Sequence, residues 1–285
     1  MRRTFFSFIF LPALVACEPA SGVDAGVDGG TDAGEVVSGR RTGVVQLFSS
    51  CGQECSTRFN ASFTIDPNDA GVAPCVRSTI GRCSLIECPG ADAGVTYPVL
   101  VPTISASAGV VSIEGTQFDG GVHLATGDGV DLFVAAQRAW HGGETVSVSS
   151  SGGDVPAFSG TVVAPEAIEF TSPRCAGPFG GCGTLPRNTP LTITWTGGTT
   201  TSVRVSLLSV DPDAPRARLS AVCTFDASPA TVDLEVMQRL VPTSAGATNS
   251  LSLSARNART VTAGEWTVEL TASGVGSNGS FSTGD

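Results

Sequence analysis

The sequence predicts an all-β protein of two β-sandwich domains, and three observations carry that reading. Thirty-five glycines and 17 prolines with only 15% charged residues match the composition of many short strands joined by turns. Segment after segment alternates apolar and polar residues at period two, as half-buried strands do. Asp119-Gly120-Gly121, Asp128-Gly129 and Gly152-Gly153 supply the turn signals that separate several of them. A length of 285 residues leaves room for two domains of ordinary size.

Residues 1–16 are set apart from both domains. Arg2 and Arg3 precede an apolar run from Phe5 to Val15, which ends in Leu14-Val15-Ala16-Cys17. A charged start, a short apolar stretch and small residues before a cut fit an export signal, and the run is too short to cross a bilayer as a helix. The cysteine directly after Leu-Val-Ala resembles the bacterial lipobox. That resemblance implies cleavage before Cys17, lipidation of its thiol and acylation of the new amino terminus. Each buried CH2 of such chains contributes about 0.8 kcal/mol, so several of them make release from a membrane slow. Arg2-Arg3-Thr4-Phe5-Phe6 also resembles a twin-arginine signal; general secretion is the expected route. Glu18, where the family's inner-membrane retention signal places Asp, points to the outer membrane, with the leaflet left open.

Residues 17–42 are expected to form a flexible acidic linker. Asp24-Ala25-Gly26, Asp28-Gly29-Gly30 and Asp32-Ala33-Gly34 offer almost nothing apolar to bury. Their Asp spacing does not match the alternating ligands of a calcium loop. The chain carries 16 basic and 26 acidic residues, net −10, and two of the basic ones leave with the signal, which excludes nucleic acid as a partner. Every basic residue is arginine, a matter of coding bias and not of chemistry.

A disulfide-stapled β domain is expected over residues 43–168. Val45 and Leu47, then Phe59, Ala61, Phe63 and Ile65, place apolar side chains on one face of two strands. Asp66 to Pro89, dense in Cys, Pro, Gly and Asp, reads as a stapled, loop-rich segment. Strands resume at Val111 to Ile113, Val122 to Ala125, Leu132 to Ala135, Val146 to Val148 and Thr161 to Ala164.

The second domain is expected over residues 169–271. Leu191, Ile193 and Trp195 alternate, Gly197-Gly198 turns, and Val203, Val205 and Leu207 alternate again. Leu234, Met237 and Leu240 fall at helical spacing and predict one short helix that Val241-Pro242 ends. Leu251 and Leu253, then Trp266, Val268 and Leu270, supply the last two strands. Residues 272–285, rich in Gly and Ser, are expected to form a flexible tail. Phe170-Thr-Ser-Pro173 leading to Leu-Thr-Ile-Thr-Trp195, the strand Val203 to Leu208, and Gly264-Glu-Trp266-Thr-Val268 resemble the immunoglobulin-like sandwich domains of bacterial surface lipoproteins. More loosely, they are similar to the Kre9/Knh1-type wall-protein domain. The likeness is one of apolar spacing, so it implies a fold and not an activity.

Eight cysteines follow Cys17: Cys51, Cys55, Cys75, Cys83, Cys88, Cys175, Cys182 and Cys223. In an exported protein they are expected to form disulfides, with the connectivity open, since eight cysteines allow 105 pairings. The spacings at Cys51/Cys55 and Cys83/Cys88 miss the C-x2-C pairs of zinc sites. Five cysteines fall in the first half and three in the second, so either one bridge joins the halves or two thiols stay free. Cys223, inside the apolar run Leu219 to Phe225, also reads as a buried thiol.

Motifs that carry chemistry are sparse. His123 and His141 are the two histidines, and neither belongs to H-E-x-x-H or H-x-H. There is no G-x-S-x-G elbow and no lysine for a phosphate-binding loop. His141 with Glu144 or Asp154 is the best fragment of a triad, although Trp140-His141-Gly142-Gly143 reads as a turn. Asp211 and Asp213 read as solvated loop carboxylates. Trp195 and Trp266 alternate with core aliphatics and are expected to be buried. Trp140, at a strand-to-turn junction beside His141, is either a cap on one end of a sandwich or a platform that stacks on a sugar or partner. The expected function is therefore that of a lipid-anchored envelope lipoprotein with a structural or binding role. Its expected partners are the membrane, through the anchor, and an envelope glycan or protein, with no cofactor, metal or catalysis. The alternative is a secreted or surface hydrolase using His141.

Overall fold

The computed structural model describes residues 39–51, 55–66, 75–89, 103–127, 130–135, 137–175, 181–198, 201–210 and 217–284. The expected signal, Cys17, most of the expected linker, and Asp211 and Asp213 lie outside the described residues. Period-two alternation becomes strand along nearly all of the rest. The first half supplies β1 (Arg40–Cys51), β2 (Cys55–Asp66), β3 (Val76–Ile80), β4 (Cys83–Glu87), β5 (Ile104–Ser105), β6 (Val110–Glu114), β7 (Val122–Ala125), β8 (Val130–Ala135), β9 (Thr145–Ser150) and β10 (Ser159–Val163). The second half supplies β11 (Ile168–Ser172), β12 (Gly181–Pro186), β13 (Leu191–Gly197), β14 (Ser202–Val210), β15 (Ala217–Phe225), β16 (Ala230–Val232), β17 (Thr248–Ala263) and β18 (Trp266–Gly284). The short helix expected between Pro229 and Leu240 is α1 (Leu234–Gln238), which buries Val236 and Met237.

Eleven strands make one sheet, in the order β3-β4-β15-β14-β17-β18-β1-β2-β5, with β12 added on β18 and β8 on β2. Two smaller sheets, β10-β9-β6-β7 and β11-β13-β16, cover one face of it and close two cores. The first core gathers Val45, Leu47, Phe59 and Phe63 with Val111, Ile113, Val146, Val148, Trp266 and Leu270. The second gathers Leu85, Ile193, Trp195, Val205, Leu207, Ala221, Leu251, Leu253 and Phe281. The fold is an all-β sandwich, as the alternation predicts, and Trp195 and Trp266 are buried in its cores.

The two cores share strands, which corrects the domain boundaries. β4, from residues expected in the first domain, pairs with β15 with Leu85 opposite Ala221, so Asp66 to Pro89 holds a hairpin of the second core where the composition suggested loop. Residues 272–285, expected as a tail, continue β18 to Gly284. Backbone hydrogen bonds to β17 and β12 hold this Gly- and Ser-rich stretch, and Phe281 anchors it in the core. The expected linker end at residue 42 lies inside β1, which begins at Arg40.

One extra residue allows β18 to serve both cores. Ser254 of β17 pairs with Gly276 and Arg256 with Ser273, so two residues of β18 oppose one of β17. Such a bulge inverts the alternation. Val268, Leu270 and Ala272 point into the first core before it, and Phe281 points into the second after it.

Candidate functional site

On the other face of the large sheet, described residues of β1, β2 and β8 line a cleft of about 780 Å³. Alternation builds it. Val45, Leu47 and Ser49 of β1 and Thr57, Phe59 and Ala61 of β2 are buried, so Gln46, Phe48, Ser56, Arg58 and Asn60 face outward, joined by Asp131 and Phe133 from β8. Register aligns them in two rows. Phe48 stands opposite Arg58 and Arg58 opposite Phe133; beside them Gln46 stands opposite Asn60 and Asn60 opposite Asp131. Phe48 is 37% exposed and Phe133 64%, unusual for large aromatic rings.

Between the two rings lies a fixed ion pair. The Arg58 Nε donates to Asp131 Oδ1 at 2.7 Å, and Nη2 donates to Oδ2, the two-pronged geometry that guanidinium and carboxylate favour. The hydrogen bond to Asp131 raises the Arg58 pKa, and the same bond lowers that of the Asp131 carboxyl. The cleft thus offers two apolar rings, amide and hydroxyl groups, and a pair of opposite charges that cancel.

Trp140 and His141 sit elsewhere, at one end of the first core. Trp140 is only 4% exposed and packs in that core, with an edge on a shallow cavity of about 270 Å³ that Ser49, Arg138 and Glu166 also line. His141 is exposed in the turn that follows. Its backbone N–H donates to Glu144 Oε2 at 2.7 Å, and Gln117 Nε2 reaches the same oxygen at 3.3 Å. Asp154 accepts the Ser107 backbone N–H at 2.9 Å. Both carboxylates of the triad fragment therefore shape backbone turns, and neither of these bonds involves the imidazole. His123 pairs across β6 and β7 with Ser112, Oγ to Nδ1 2.9 Å, on an exposed strand face. Among the described residues no group of three His, Cys, Asp or Glu is placed to hold a metal ion.

The cysteines act as staples. Cys75 bonds Cys88 across the mouth of the β3–β4 hairpin, Cys83 bonds Cys223 between β4 and β15, and Cys175 bonds Cys182. Cys55 is also disulfide-bonded, with Cys51 opposite it in register. Cys83–Cys223 is the bridge between halves that the five-to-three division allows, and it corrects the reading of Cys223 as a free buried thiol.

No protein-family model matches this chain, and no curated protein matches it.

Proposed function

We propose that the protein is a lipid-anchored lipoprotein of the cell envelope that acts by binding and not by catalysis, with the cleft over β1, β2 and β8 as its binding face. The observation that carries the binding role is the pair of exposed rings, Phe48 and Phe133, flanking the Arg58–Asp131 ion pair. Large aromatic surface left in water is what a recognition site retains and a purely structural face sheds. The engagement of Glu144 and Asp154 by backbone N–H groups supports binding over hydrolysis at His141. The anchor rests on Leu14-Val15-Ala16-Cys17, and Glu18 supports the outer membrane as its place.

Two measurements test the two halves of this proposal. In detergent phase separation the wild type is expected in the detergent phase and Cys17→Ser in the aqueous phase; equal partitioning removes the anchor. In a pull-down with purified envelope material, Phe133→Ala is expected to weaken binding with an unchanged melting curve. Binding that survives loss of both Phe48 and Phe133 removes the face.

A further inference from the structure

The outward row of the cleft continues past the cleft itself. Phe133 stands opposite Arg58, Arg58 opposite Phe48, Phe48 opposite Ser273 of β18, and Ser273 opposite Arg256 of β17. Five strands thus contribute one residue each to a line that runs across the sheet, about 19 Å from end to end at the usual strand spacing. The rings of Phe133 and Phe48 lie on strands two places apart, about 10 Å along that line.

The charges within the row are paired, and Arg204 of β14, half-buried beside its far end, interacts with the same Arg256 and with Glu269. Arg58 is paired with Asp131, and Arg256 donates to Glu269 at 2.6 Å. The chain as a whole is net −10, so a polyanion is repelled overall and a polycation finds no unpaired carboxylate along the row. The two rings are separated by a charged pair, whereas the core of a protein interface is depleted of charge. What fits is a linear molecule without charge whose apolar faces recur at intervals and whose edges carry hydroxyls.

The geometry points to an uncharged linear oligosaccharide lying across the strands, with sugar faces stacked on Phe133 and Phe48 and its far end over Arg256. The amides of Gln46 and Asn60 in the neighbouring row supply both donors and acceptors for hydroxyls. This ligand class rests on the binding-face reading above and narrows it.

Calorimetric titration of the full-length protein in detergent, with glucose, mannose and N-acetylglucosamine oligomers from dimer to hexamer, tests it. For at least one sugar, affinity is expected to climb with chain length until the oligomer reaches Arg256, and to vary little with salt because no ions are exchanged. Phe133→Ala and Phe48→Ala are each expected to lower affinity roughly three- to tenfold at every length, the scale of one aromatic contact. Arg256→Met is expected to erase only the gain of the longer oligomers. Oligosaccharide binding indifferent to both phenylalanines overturns the track. If none of the oligomers binds while Phe133→Ala still weakens capture of envelope material, the sugar is overturned and the binding face stands, with a protein partner in its place. If both fail, the face itself falls.

Discussion

Truncating Trp140 separates its two possible roles at the scale of one residue. The indole is buried in the first core, so Trp140→Ala removes a large side chain that its neighbours cannot replace. The expected cost is about 3 kcal/mol or more, read as a lowered midpoint in urea, with binding to envelope material unchanged once the protein is folded. Asp131 offers a second test. Its folded pKa is depressed by the hydrogen bond from Arg58, so the pairing is present above the unfolded value and is lost as pH falls through the folded one. Ligand affinity is expected to hold as pH falls through about 4, the ordinary aspartate value, and to drop only at the lower pH where the depressed Asp131 carboxyl takes up its proton. Asp131→Asn should flatten that profile, and an unaltered profile would exclude the pair from the site. Sequence reasoning placed the candidate aromatic at Trp140 and passed over Phe48 and Phe133, although a signal was present. Leu47-Phe48 and Leu132-Phe133 are doublets of large apolar residues in period-two strands, where successive side chains point to opposite faces. Leu47 is buried and Phe48 exposed, whereas on β8 both Leu132 and Phe133 are exposed.

At the scale of elements, alternation was legible wherever one face of a strand is continuously apolar. β2, β13 and β14 are of that kind, and their inward residues are those expected. The β3–β4 hairpin escaped because Leu85 and Cys83 are its fully buried side chains; such short strands carry too few apolar positions to show a period. Disulfides substitute for the missing core. Cys83–Cys223 closes a sequence separation of 140, against 7 for Cys175–Cys182. Loop-closure entropy assigns about 5 kcal/mol to the first and about 2.5 kcal/mol to the second. Guanidinium unfolding of Cys83→Ala/Cys223→Ala is therefore expected to show about twice the loss of Cys175→Ala/Cys182→Ala. Equal losses would mean that the long bridge constrains the unfolded chain little, and that β4 is held on β15 by the ladder alone.

Across the whole molecule, the long hairpin of β17 and β18 contributes side chains to both cores. A local reading of sequence misses this, because the end of the chain pairs with its beginning: Val45 of β1 lies beside Leu270 of β18 in parallel register. Serine and glycine in residues 273–284 are polar enough to look like a tail, yet they are paired first with β17 and then, from Ser280, with β12, and backbone hydrogen bonds decide. Deleting residues 273–285 is expected to destabilise the protein by several kcal/mol, since it strips β12 of its partner and removes Phe281 from the second core. A finer variant leaves the length intact. A Cβ at Gly276 would lie 1.9 Å from the Leu253 carbonyl oxygen, a backbone atom that cannot rotate away. Gly276→Ala is therefore expected to cost about 1 to 3 kcal/mol by overpacking at the bulge. Because both cores hang on the same two strands, that loss should appear in a single unfolding transition seen alike by the tryptophans of the first core, Trp140 and Trp266, and by that of the second, Trp195. Two separate transitions, with only the Trp195 signal displaced, would show instead that the sandwiches unfold independently and that the shared strands do not couple them.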